Sequence, residues 1–124
     1  MAWLLDTNVA LHLRDGDTAV LDRVASLDGA LLMSVVTRVE LVGGVHREPA
    51  CAPLRRARLD AMLAAIPTLA FDDLAADAYA RIVAEAGYSR RKLLDPQALV
   101  HRATLVTRNR DDFIDVPGLS LEVW

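Results

Sequence analysis

Residues 2–11 read Ala2-Trp3-Leu4-Leu5-Asp6-Thr7-Asn8-Val9-Ala10-Leu11, an apolar run interrupted by three polar side chains. The first four residues read as a buried strand, and the polar trio stands where that strand gives way to a helix. Two readings compete for Asp6, Thr7 and Asn8. Each can cap a helix start, because a side-chain oxygen there accepts hydrogen bonds from amides of the first turn. Alternatively, in an open α/β sheet, ligands bind in the crevice outside the carboxyl ends of the strands. The other acidic residues must decide.

Working outward, strand-like and helix-like segments alternate, which points to βαβ units and a parallel sheet. Residues 17–27 place Val20, Val24 and Leu27 at helical spacing behind a possible Asp17 cap. Residues 30–36 form a continuous apolar run, the look of a strand buried on both faces. Residues 37–48 and 52–66 read as helices that could pair as a hairpin, the first holding Gly43 and Gly44, where close packing would offset the cost of glycine. Pro67 closes the second, and residues 68–71 make a short strand. Leu74, Ala78, Ile82 and Ala86 recur every fourth residue in a further helix ended by Gly87. A short helix opens near Asp95-Pro96, residues 103–107 form a strong strand, and residues 119–124 an edge strand. The expectation is one domain over residues 1–124: an α/β chain with five strands and helices on both faces.

Composition narrows the function classes. With 53% hydrophobic and 25% charged residues over 124 positions, the chain suits a compact fold with a real core. No apolar run is long enough to span a membrane, and the N-terminus does not read as a signal peptide. The single cysteine, Cys51, forms no internal disulfide, and a reducing cytoplasm is the expected setting. The net charge of −3 does not advertise nucleic-acid binding. Three basic clusters could still attract phosphate: Arg55, Arg56 and Arg58; Arg90, Arg91 and Lys92; Arg108 and Arg110. Solvated surface charge is the plainer reading of any one of them.

Four carboxylates fall at matching places. Asp6 ends the first strand, Glu40 lies in the first turn of the helix after the second, Asp95 opens the helix before the fourth, and Asp112 follows the fourth. A parallel sheet brings these positions to one edge. Each has a structural explanation: a Thr37-x-x-Glu40 capping box, an Asp95 N-cap followed by Pro96, a turn capped by Asp112. Together they suggest chemistry. Clustered carboxylates repel one another and hold protons unless a cation relieves them. A hard divalent ion such as Mg²⁺ or Mn²⁺ takes oxygen ligands and can activate water for attack on a phosphodiester. His12, His46 and His101 show no zinc-ligand spacing.

These motifs resemble a family. "LLDTNVAL" (4–11), "SVVTRVELVGG" (34–44), "LLD…ALVHRATLVTRNRDDF" (93–113) and "VPGLSLEVW" (116–124) are similar to PIN-domain ribonucleases of the VapC type, toxins of bacterial toxin–antitoxin pairs. The resemblance spans nearly the whole chain. It implies a PIN-like three-layer α/β/α sandwich around a mostly parallel five-stranded sheet, and Mg²⁺- or Mn²⁺-dependent endonucleolytic cleavage of RNA. Position by position, Asp6 and Asp95 match metal-holding carboxylates, and Glu40 and Asp112 complete the acidic quartet. Thr7, Asn8, Thr107 and Asn109 match supporting polar residues. The family further implies a homodimer and a small antitoxin partner that binds operator DNA together with the toxin.

One departure matters. The stretch from Asp95 to the Thr107-Arg108-Asn109 triad is about four residues shorter than the family pattern, close to one helical turn. Such a change would displace Asp95 or stretch the preceding loop. The alternative it opens is a dimer that binds antitoxin or RNA without cutting. A phosphotransfer enzyme using Asp6 as nucleophile fits poorly, because the sequence lacks a second carboxylate two residues on.

Overall fold

The structure, a computed structural model, describes residues 1–124, the side chains of Arg90 and Arg91 excepted. Five strands form one sheet: β1 (Ala2–Leu5), β2 (Ala30–Ser34), β3 (Thr68–Leu69), β4 (Thr104–Thr107) and β5 (Leu121–Val123). Their spatial order is β3-β2-β1-β4-β5, and every pairing is parallel. The helices are α1 (Thr7–Arg14), α2 (Thr18–Ser26), α3 (Val35–Arg47), α4 (Ala52–Ala65), α5 (Asp73–Ala86) and α6 (Asp95–Val100).

Strand alternation sorts the core into two layers. Trp3, Leu5, Met33 and Val106 point to one face and pack with Val9, Val20, Leu41, Leu59 and Met62 from α1 to α4. Leu4 and Leu105 point to the other and pack with Leu94, Ala98, Ala103 and Phe113, on the side of α6. The result is the three-layer sandwich expected. Trp3 behaves as a packing residue: it joins the first layer, and its indole N–H donates to Asp28 O at 3.1 Å. No helix among the described residues is long and apolar enough to cross a membrane.

Local chemistry sets most boundaries. Asp17 accepts from the Val20 amide (3.2 Å) and Asp72 from the Ala75 amide (3.0 Å), capping α2 and α5. Gly87, at φ 77°, ends α5. Gly44 admits Arg14, a buried guanidinium whose Nη1 would lie 2.7 Å from an added Cβ. That is the close packing expected of the glycine pair.

Several expectations are corrected. The apolar run 30–36 is not all strand. Ser34 Oγ accepts from the Val36 amide at 3.0 Å, so α3 begins at Val35 and Ser34, not Thr37, is its cap. The Thr37-Glu40 capping box therefore does not form, and Glu40 lies in the second turn of α3. The strand expected at 68–71 shrinks to Thr68–Leu69, and that at 119–124 to Leu121–Val123. In α5 the inward residues are Ala75 and Ile82, while Leu74 is 64% exposed. Asp95 is the first residue of α6 but not its cap: Leu94 holds that position, and no side chain caps the helix.

The β1–β2 ladder depends on one glycine. Ala30 N donates to Met1 O at 2.9 Å, and Gly29, at φ 124°, passes so close that an added Cβ would sit 2.0 Å from that oxygen. Both the backbone conformation and the contact exclude a side chain. Gly29→Ala should therefore lower the unfolding free energy by roughly 2 kcal/mol or more. Urea denaturation measures this, and an unchanged midpoint would contradict the register described.

Candidate active site at the carboxyl edge of the sheet

Because all strands run the same way, β1, β2 and β4 end on one edge. A cleft of about 660 Å³ opens there. Asp6, Thr7 and Asn8 enter it from the end of β1 and the start of α1, Glu40 from α3, and Asn109 and Asp112 from the loop after β4. Leu11, Val35, Val36, Val39, Leu93, Leu94 and Phe113 make its apolar wall. A second cavity of about 470 Å³, between α3 and α4, contains no carboxylate.

Asp6 is 7% exposed at the N-cap position of α1, yet makes no capping hydrogen bond. Its Oδ2 instead accepts from Thr107 Oγ1 at 2.6 Å, and that hydroxyl in turn accepts from the Asn109 amide at 2.9 Å. Burial pushes the Asp6 carboxyl above its ordinary range; Thr107 and the Thr7 and Asn8 amides oppose the rise, and the charge on Asp112 adds to it. Asp112 Oδ2 is held at 2.6 Å by the Asn109 side-chain amide. Thr107 and Asn109 thus orient one carboxylate each. Thr7 does a different job: its hydroxyl meets that of the fully buried Thr37 at 2.9 Å, tying the start of α1 to α3. The sequence had offered Thr37 only as a cap.

Asp95 differs from the rest. It is fully buried, and neither carboxylate oxygen has a hydrogen-bond partner among the described residues. Leu93 and Leu94 line the cleft, and Asp95, the next residue, is not part of its lining. Burial pushes its carboxyl up to about 8; Lys92 pulls down, while Asp115 and Asp6 push further up. The charge of Asp6 reaches Asp95, so the two matched residues lie within electrostatic range of one another. Lys92 pairs with Asp115, whose carboxyl is held below its usual range by that contact.

Glu40 is half-exposed, with Arg47 Nη2 3.9 Å from its Oε2. Several basic side chains meet the protein's own acceptors. Arg55 reaches Glu48 (3.2 Å), Arg58 the Asp15 carbonyl (3.0 Å), Arg56 Asp60 (3.8 Å) and Arg108 Asp17 (3.6 Å). The plain reading holds for these. Arg90 and Arg91 lie outside the described side chains.

Whether this donor set suits a divalent ion turns on Asp95. Two buried oxygens without donors are costly to ionise, and a hard cation is the partner that would relieve them. Among the described residues no three His, Cys, Asp or Glu groups are arranged to enclose an ion. Mg²⁺ is typically held by one or two carboxylates and completed by water, and Asp6 and Asp95 are the buried carboxylates here that could serve it.

Comparison with known proteins agrees with the fold. A chain in the crystal structure of VapBC2 from Rickettsia felis, bound to a DNA fragment from their promoter, is 23% identical, with a TM-score of 0.87 over 100% of this chain and 99% of that one. A chain in DNA-bound VapBC from Salmonella typhimurium is also 23% identical, with a TM-score of 0.84 over 100% and 98%. At that identity the likeness is one of fold. VapBC-5 of Mycobacterium tuberculosis, a member of the VapBC family of toxin–antitoxin systems, contains a chain 28% identical, with a TM-score of 0.69 over 98% and 96%. No curated protein sequence matches. The PIN domain family model matches residues 3–119, from β1 to the residues just before β5. With that match over nearly all of its length, the chain belongs to the PIN-domain family.

Proposed function

We propose that the chain is a metal-dependent endoribonuclease and the toxin of a VapBC-type toxin–antitoxin pair. The observation that carries this reading is the fully buried, unpartnered carboxylate of Asp95, within electrostatic reach of Asp6 at the acidic cleft. The family, and the VapBC complexes in which similar folds occur, support the biological role. Asp6 and Asp95 would hold Mg²⁺ or Mn²⁺, which when bound would supply positive charge to a phosphodiester and lower the pKa of a water.

The remaining steps belong to the chain. Thr107 fixes Asp6 against rotation, and Asn109 presents Asp112 to the cleft. Asp112 or Glu40 accepts the proton of the attacking water. The apolar wall of Leu11, Val35 and Val39 excludes water from one side of the cleft and faces an unstacked base. A small antitoxin protein, a second copy of the chain, and operator DNA through the antitoxin complex complete the proposed partners, acting in the cytoplasm.

A second reading has one observation in its favour. Asp95 is fully buried and not part of the cleft lining, on a helix of only six residues, so the chain could bind antitoxin or RNA without cleaving. Cleavage of a single-stranded RNA with millimolar Mn²⁺ decides between the two. The nuclease reading expects cleavage that chelator stops and that Asp6→Asn reduces by at least about 100-fold. Cleavage unaffected by chelator contradicts it, and folded protein that binds but never cuts favours the second reading.

Asp95 also predicts a pH dependence. In the unfolded chain its carboxyl ionises near 3.8, in the folded protein near 8, so the folded state prefers the proton. Stability is then greatest at the acid end of this window, falls by up to about 1.4 kcal/mol per pH unit as pH rises between these values, and levels off above. The raised Asp6 carboxyl acts in the same direction. Unfolding in chelator between pH 5 and 8 should show this decline, reduced in Asp95→Asn and offset by Mn²⁺ in the parent chain. A stability flat over this range would contradict the unpaired burial.

A further inference from the structure

Gln97 is fully buried, two residues beyond Asp95 on α6. Its Nε2 donates to two backbone carbonyls, Leu69 O and Ala70 O, each at 3.1 Å. These carbonyls stand where β3 ends after only two residues, at the edge of the sheet. Its Oε1, by contrast, has no partner among the described residues, so donation is what the side chain contributes.

The need for such a tether follows from the length of α6. Six residues make less than two turns, the helix has no side-chain cap, and a helix this short has little stability of its own. Apolar contacts through Leu94 and Ala98 hold it to the sheet, but they are not directional. Two hydrogen bonds from one planar amide to successive carbonyls fix both rotation about the helix axis and position along it. Asp95, in the same turn, moves with Gln97.

The carbonyl end of the tether leads to the opposite side of the site. Leu69 pairs with Ser34 across the β2–β3 ladder, and Ser34 Oγ caps α3, the helix that carries Thr37 and Glu40. The helix of Asp95, in one layer, is therefore linked through the β3–β2 pairing and the Ser34 cap to the helix of Glu40, in the other. We infer that Gln97 is a positioning residue, which sets Asp95 for cation binding by clamping the short α6 to the end of β3 and, through Ser34, to α3. The inference rests on the metal-dependent reading above.

The test compares Gln97→Met, which keeps the volume and loses the donor, with Val24→Ala, a comparably destabilising change in the other core layer. Mn²⁺ affinity is measured by titration calorimetry, and RNA cleavage as separate kcat and KM. Gln97→Met should weaken Mn²⁺ binding roughly 10-fold and lower kcat with KM little changed, while Val24→Ala leaves Mn²⁺ affinity at the parent value. Should Gln97→Met fail to fold, amide hydrogen exchange in the parent chain serves instead. Saturating Mg²⁺ should then slow exchange of the Gln97 side-chain amide together with the backbone amides of Ala98 and His101. Parent-like Mn²⁺ affinity in folded Gln97→Met, equal weakening in Val24→Ala, or exchange unchanged by Mg²⁺ overturns the inference. Absence of both Mn²⁺ binding and cleavage in the parent chain would instead overturn the metal-dependent reading itself.

Discussion

Asp95 is a carboxylate buried without a hydrogen-bond partner among the described residues, and the organisation of the site depends on how that cost is met. An ionised group in this setting is unstable by several kcal/mol, so it holds a proton or takes a cation. Asp6, next in degree of burial, has its carboxyl raised as well, though three donors at the start of α1 and the end of β4 moderate it. Two carboxylates each resist ionisation, Asp6 feeling the charge of Asp112 and Asp95 that of Asp115 and Asp6, and a nearby positive charge would relieve both. The rest of the fold serves to keep them there.

It does so through the parallel sheet. Every strand delivers its carboxyl end to the same edge, so residues separated by a hundred positions, such as Asp6 and Thr107, meet at 2.6 Å. Helices from both layers then add Glu40 and Asp95. Hydroxyl and amide groups tie elements together where apolar packing alone would leave them free to slide: Thr7 with Thr37, Ser34 with the start of α3, Gln97 with the end of β3. These contacts lie within a few residues of an acidic side chain.

Much of this was legible in the sequence because the signals were local. Unbroken apolar runs marked buried strands, Asp17 and Gly87 marked helix ends, and the placing of four acids relative to strand ends marked the edge. What was not legible depended on partners distant in the chain. Ser34 and Thr37 are both competent caps, and only the position of β2 in the sheet selects Ser34. Asp95-Pro96 has the local chemistry of a cap, but burial against the sheet converts it into something else. The length of β3 is set by its single neighbour, β2. A cluster such as Arg55, Arg56 and Arg58 looks like a phosphate patch until Asp15, 43 residues before Arg58, is found accepting from it. Gln97 carried no signal at all, since an isolated glutamine in a short helix is unremarked until its two carbonyl partners are seen.

The most direct measurement is the position of Mn²⁺, located by its anomalous scattering, in crystals of the protein. The account predicts one ion at the cleft with carboxylate oxygens of both Asp6 and Asp95 at roughly 2.0–2.2 Å and water in the remaining positions. An ion bound by Asp6 or Glu40 while Asp95 stays buried and untouched would contradict it.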